Sequence, residues 1–262
     1  MLHRIHARIE LTDAGIDLLS TAEQCLAAHD KGFRRLEQYK KPNQLIVHTA
    51  ADFAAGWLFS RPAQFRQHCP RVDIWLYTTE GTPDLGGAEI HCAIVRGDGD
   101  WPGFEAVRLL DDAQVPLCAP DHPLLAKAGR TARDLLDHQL LHDEDEVTWG
   151  DWFREAGFSA ADPVEGPNFT SQSLMLQAAE LGQGIALGSV VTAADRLAAG
   201  RLVAALPPAL PDSRGYYLLR REDNLRSEHF KPFRAWLTAT SASQPAVDEF
   251  TGNGTASPPP GA

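Results

Sequence analysis

The stretch LIVHTAADFAAGWL, residues 45–58, decides how the rest of the chain is read. It opens on Leu45, Ile46 and Val47, a short apolar run with β-branched members that favours a pleated backbone. After Thr49-Ala50-Ala51-Asp52 the period changes, and Phe53, Trp57 and Leu58 recur at helical spacing. Strand, turn and helix therefore follow one another in a single short segment. The pattern then repeats. Pro62 restarts a helix with Phe65 inward, Pro70 stops it, and Val72 to Tyr77 reads as the next strand. Ile90 to Val95, Val107 to Leu110 and Val115 to Ala119 read as a third, fourth and fifth. Strands alternating with helices predict an α/β fold with a parallel sheet made by βαβ crossovers.

Working outward toward the C-terminus, a second α/β unit occupies about 120–215. Leu135, Leu136, Leu140 and Leu141 give a short helix and a strand entry, and Trp149, Trp152 and Phe153 begin an aromatic helix that Gly157 stops. Leu174 to Leu181 is a helix, Gly182-Gln183-Gly184 a turn, and Ile185-Ala186-Leu187 a buried strand. Tyr216 to Leu219 returns as a strand before a final helix carrying Phe230, Phe233, Trp236 and Leu237. Residues 241–262 are rich in Pro, Gly, Ser and Thr, which predicts a disordered tail.

Toward the N-terminus, Arg8 to Thr12 alternates like a short strand, and Thr12 or Asp13 can cap a helix by accepting from first-turn N–H groups. From there Leu19, Ala22, Leu26, His29, Phe33 and Leu36 form one narrow stripe that runs to Lys41-Pro42. A stripe of that width on a long helix suits a partner helix; the alternative is packing on its own domain.

Bulk composition bounds the function. The 262 residues are 44% hydrophobic and 23% charged, as in an ordinary globular protein. A formal charge of −11 excludes general attraction to nucleic acid, so basic surface must be local: Arg4, His6 and Arg8 form one cluster, and Lys31, Arg34, Arg35, Lys40 and Lys41 another. No apolar run reaches the length of a membrane span, and MLHRIHARIELTDAG has no secretion-type apolar block, so a cytoplasmic address without membrane contact is expected. The cysteines at 25, 69, 92 and 118 lack CxxC pairing, which predicts buried thiols.

At this point a family pattern is present. Leu2, Arg4, Ile9 and Leu11-Thr12-x-Ala14-Gly15, then Trp57-Leu58, Pro62, Phe65 and Pro70, then Gly97-Asp98-Gly99-Asp100-Trp101-Pro102-Gly103 occur in order. Leu135-x-x-His138-x-Leu140-Leu141, Trp149-x-x-Trp152, Gly166-Pro167-x-Phe169, Ala178-Ala179-x-x-Gly182-x-Gly184-Ile185-Ala186-Leu187-Gly188 and Gly200-Arg201-Leu202-Val203 follow. Over about residues 2–240 this series resembles LysR-type transcription regulators, and most of all the subgroup of glycine-cleavage and β-lactamase activators.

The resemblance implies two Rossmann-like subdomains of the type 2 periplasmic-binding-protein kind, preceded by a long linker helix, with a small-molecule effector in the cleft. It divides the chain into a wing remnant (1–11), a linker and dimerisation helix (12–41), an effector-binding domain (42–240) and the tail. Lobe one then takes about 44–115 and 220–240, and lobe two about 116–219, with crossings near Val115 to Ala119 and Tyr216 to Arg221. A homodimer or homotetramer acting on promoter DNA is implied. The family's recognition helix reads base edges in the major groove, and the expectation here is a chain that starts after it. Arg4, His6 and Arg8 could then add phosphate contacts without sequence information. Where the family pattern has Asp ahead of Ala-Ile-Arg, this chain has His91 ahead of Ala93-Ile94-Val95, and the arginine comes one place later as Arg96.

Ligands in such a cleft are held by amides and hydroxyls at strand-to-helix turns, where free N–H groups favour an anion. The candidates are Thr49, Ala50, Ala51, Thr79, Arg96, Thr170, Ser171 and Tyr216; the plainer reading of the hydroxyls is helix capping. His138 and His142 sit at metal-sharing spacing for a helix, against a family motif with no metal role. Asp143 to Glu146 lacks the spaced ligands of a cation loop. No nucleotide loop, GxSxG elbow or HExxH is present, so neither cofactor nor enzyme is expected. A solute-binding protein of the same fold is the competing reading.

Overall fold

The computed structural model describes residues 2–5, 8–38, 43–78, 90–144, 147–158, 165–221 and 229–244. His6, Thr79, Lys40, Lys41, Asp145, Glu146 and the 245–262 part of the expected tail lie outside them. Strands β1 (Leu2–Ile5) and β2 (Arg8–Leu11) form an antiparallel hairpin that places Arg4 and Arg8 on adjacent strands. Helix α1 (Asp13–Gln38) follows, and the Thr12 Oγ1 accepts from Gly15 N at 3.1 Å, the N-cap that the sequence offers. Its apolar stripe stays in solvent in the single chain: Leu26 is 63% exposed and Phe33 59%.

Beyond α1 the chain alternates as its periods dictate. Strand β3 (Gln44–Thr49) leads into α2 (Ala51–Phe53), which runs on as a π-helical turn over Ala54–Leu58. Helix α3 (Pro62–His68), β4 (Asp73–Thr78) and β5 (Cys92–Gly97) complete the first half, and β3 pairs in parallel with both β4 and β5. Strand β6 (Phe104–Cys118) then enters the second half, made of β7 (Leu140–Asp143), α4 (Trp149–Glu155), β8 (Asn168–Phe169), α5 (Gln172–Glu180), β9 (Ile185–Ser189), α6 (Ala194–Ala198) and β10 (Val203–Ala204). Strand β11 (Leu210–Arg221) returns, and α7 (Phe230–Ser241) packs against α3.

The strands join one sheet in the order β4-β3-β5-β11-β6-β9-β7-β8, with β10 added on β6. The parallel sheet expected from the βαβ alternation forms within each half, and the strands between the halves differ. Strand β11 runs antiparallel to β5 and β6, and β6 antiparallel to β9 and β10. The segments 107–110 and 115–119, read as two strands, belong to one. Asp111 and Asp112 look like a break in the sequence, yet Asp112 is buried inside the strand where its pairing passes from one half to the other. The exchange falls at Asp111–Gln114 and Leu210–Gly215, a few residues ahead of the expected places.

One apolar cluster runs from Leu45, Phe53 and Trp57 through Val115 and Leu117 to Met175 and Leu176, so it is shared by both halves. A second, under β7 and α4, is built on Trp149, Trp152 and Phe153. Their indole N–H groups are satisfied, Trp149 Nε1 by Leu141 O at 2.9 Å and Trp152 Nε1 by Pro208 O at 2.8 Å, which is what lets two tryptophans sit fully inside. Cys69, Cys92 and Cys118 are buried thiols as expected, whereas Cys25 is exposed on α1.

Candidate functional site

The carboxyl ends of β3 and β5 face the amino end of α5 across the two halves. Thr49 closes β3, paired with Ile94 of β5; two residues further along, Arg96 is opposite Tyr216 of β11. Ala50 and Ala51 are exposed at the start of α2. Ser171 caps α5, accepting from Leu174 N at 3.5 Å, and Thr170 lies exposed just before it. The structure therefore brings Thr49, Ala50, Ala51, Arg96 and Tyr216 to one edge, and Thr170 and Ser171 to the facing turn. Thr79 falls outside the described residues.

What joins the two sides is Asp52, which by sequence belongs only to the turn after β3. The Asp52 carboxylate accepts from Ser171 Oγ at 3.0 Å, Gln172 N at 3.0 Å and Ser173 N at 2.9 Å. It occupies the anion position that free amides and the helix dipole create at the start of α5. An acidic residue in a first helical turn is locally unremarkable, because it suits its own helix; no sequence signal says that this one caps a helix in the other half. Around it, Thr49 is 2% exposed and its Oγ1 has no partner among the described residues, and the same holds for the Ser173 Oγ. Gln172 extends the network, donating to Asp143 Oδ2 at 2.9 Å and accepting from Thr192 Oγ1. Next along, Gly56 meets the Thr192 backbone so closely that a Cβ would lie 1.7 Å from its carbonyl oxygen.

Arg96 is held in place at this edge by carboxylates. Its guanidinium pairs with Asp212 and lies 3.9 Å from Asp112, so one side chain of β5 engages both strands that pass between the halves. The Asp112 Oδ1 accepts from Ala113 N at 2.9 Å, Ser189 Oγ at 2.7 Å and Val191 N at 3.4 Å. Burial nevertheless pushes the Asp112 carboxyl up to about 6, against the opposing pull of Arg96 and these donors. Burial acts upward on Asp212 too, but Arg214 and Arg96 outweigh it and hold that carboxyl below the usual range. Arg96 is thus engaged in crossing-strand ion pairs. Tyr216 is 5% exposed, with its ring 4.7 Å from Phe53.

The metal-spacing pair is not on a helix. His138 follows a short 3-10 segment and packs its ring 4.8 Å from His122, while His142 lies in β7, so the shared face that spacing suggested does not form. Among the described residues no group of three His, Cys, Asp or Glu could hold a metal ion, and no helix is long and apolar enough to cross a membrane.

Two α/β halves on crossing strands, meeting at a turn rich in amides and hydroxyls, define a two-lobed α/β module. Residues 41–242 match the family model of the LysR substrate binding domain, and the chain belongs to that family. It is 28% identical over 244 residues to the glycine cleavage system transcriptional activator of Escherichia coli (strain K12), covering 93% of this chain and 80% of that protein. It is 32% identical over 232 residues to the HTH-type transcriptional activator AmpR of Rhodobacter capsulatus, covering 88% and 78%. The effector domain of the transcriptional regulator AmpR of Pseudomonas aeruginosa superposes with a TM-score of 0.64 at 29% identity, over 76% of this chain and 96% of that one. The chain carries the effector-binding domain of a LysR-type transcriptional regulator, with the periplasmic-binding-protein-like fold of two subdomains.

Proposed function

We propose that this chain senses a small-molecule effector between Thr49–Ala51 and Thr170–Ser171, with Asp52 as the latch that closes the two halves in its absence. The observation that carries this reading is the Asp52 carboxylate on the α5 amino end: a built anion position, filled by the chain itself, beside the Thr49 and Ser173 hydroxyls that have no partner among the described residues. An effector acts by binding the open and closed arrangements unequally, and it moves the equilibrium by that difference alone. Sensing requires no turnover, and no enzyme activity is part of the proposal.

The linker helix supplies the second element. Its exposed stripe of Leu19, Leu26 and Phe33 suits pairing with a second copy, as a homodimer or homotetramer that presents promoter-binding heads in a cytoplasmic regulator. The relatives named above are transcriptional activators, which supports control of transcription as the output. Arg4, His6 and Arg8 would contribute phosphate contacts only.

A thermal-shift screen of the chain against amino acids, aromatic acids and cell-wall fragments tests the reading, since a ligand of the native state raises the melting midpoint. The expected result is one chemical class that raises it in the wild type and loses the effect in Thr49→Val and Ser171→Ala. A hit equally stabilising in both variants would place the effector elsewhere and overturn the assignment of the cleft.

A further inference from the structure

A cavity of about 760 Å³ lies apart from the Asp52 seam. The first helix of the first half sets the separation: Asp52 meets the α5 amino end, Gly56 meets Thr192, and Arg61, beyond the π-helical turn, lines this cavity. Val190, Val191, Leu197 and Leu202 form its apolar wall from the second half, and Trp236 of α7 faces them from the first. Its volume is in the range of small-molecule pockets.

Charge at the cavity is unevenly matched. Asp111 lines it and is held by Arg108, and nearby Asp195 is held by Arg201 at 2.9 Å. Arg61 lies over the Trp57 ring, 4.3 Å from its centroid, and donates to Trp57 O, to Ser60 Oγ at 2.7 Å and to Gln244 Oε1 at 3.0 Å. Those partners are neutral oxygens, and among the described residues no carboxylate stands within ion-pair distance of it. Asp195 pulls on the Arg61 charge from beyond ion-pair distance, and Arg201 already holds that carboxylate. A guanidinium over an aromatic ring, half-buried and hydrogen-bonded only to neutral oxygens, favours an anionic partner with hydrogen-bond acceptors.

We propose that this cavity is a second small-molecule site, taking an amphipathic organic monoanion, an aromatic or branched aliphatic carboxylate, with its acid on Arg61 and its apolar body against Leu197, Val203 and Trp236. Such an occupant touches both halves, and it biases their arrangement by the difference in its affinity for the open and closed forms. The site does not depend on the cleft reading and stands if the cleft binds nothing.

Hydrocinnamate is the probe, titrated into the whole chain with labelled Val and Leu methyl groups followed by NMR. The expected shifts centre on Val190, Leu197 and Val203, and the neutral hydrocinnamamide binds weaker by about tenfold or more. Arg61→Met gives a comparable loss. Ala198→Trp, at an exposed position on the cavity rim, abolishes binding while leaving the melting midpoint near wild type, and it decides the matter if Arg61→Met does not fold. Equal binding of acid and amide, shifts confined to the Asp52 end, unchanged affinity in the variants, or no shift at about 10 mM probe would each overturn the proposal.

Discussion

Asp52 and Asp112 are carboxylates of the same type put to opposite uses by their surroundings. Asp52 collects three donors from the other half, and losing it leaves amides at the start of α5 unmatched. Asp52→Ala is expected to cost about 1–3 kcal/mol in urea unfolding, and acetate is expected to restore part of that loss by occupying the vacated anion position. A variant as stable as wild type, indifferent to acetate, would remove Asp52 from the latch role. For Asp112, burial dominates. Its folded value of about 6 lies above the ordinary carboxylate value, so the native state holds the proton more tightly than the unfolded chain. Its contribution to stability is then fullest at low pH and falls as pH rises from about 4 to 6, by up to about 3 kcal/mol. Asp112→Asn should flatten that part of the stability profile, measured by denaturant unfolding across the window. A profile parallel to wild type would show that the carboxyl does not titrate there.

At the scale of elements, α1 is the clearest case of a helix that the single chain leaves incomplete. Its sequence cap forms at Thr12, and its stripe is regular, yet Leu19, Leu26 and Phe33 face solvent. Apolar stripes of this kind gain stability by burial against a partner. Leu26→Asp is expected to shift the chain toward monomer in light scattering, with little effect on its effector-domain fold seen by near-ultraviolet dichroism. An unchanged mass would mean that the stripe does not carry association. The elements also differ in how far sequence exposes them. The apolar run of β3 and the aromatic spacing of α4 are local signals, and both elements form where the pattern puts them. Strand β6 is not legible in the same way, because Asp111-Asp112 reads as a boundary unless the partners Ser189 and Arg96 of the buried Asp112 are known.

For the whole molecule, the crossing strands and the shared core matter more than the division into halves. The sheet is continuous from β4 to β8, and the main apolar cluster takes residues from both sides. Unfolding is therefore expected to be a single cooperative transition, with tryptophan fluorescence and far-ultraviolet dichroism coinciding in urea. Two resolved transitions would mean that the halves are stabilised separately, contrary to a core that runs between them.

The sequence by itself determined the alternation of strand and helix, the cap and stripe of α1, and the ordered motifs that carry the family likeness, because each depends on neighbours a few residues apart. It also brought Thr49 and Ser171 into view, since hydroxyls at strand-to-helix turns have a local meaning. Tertiary structure alone decided that Asp52 reaches the start of α5, that Arg96 engages the crossing strands, and that Arg61 borders a cavity with Leu197 and Trp236. The pairs Asp52–Gln172, Arg96–Asp212 and Arg61–Leu197 join residues more than a hundred positions apart, and no local period or turn chemistry encodes which distant partner a carboxylate or guanidinium will meet.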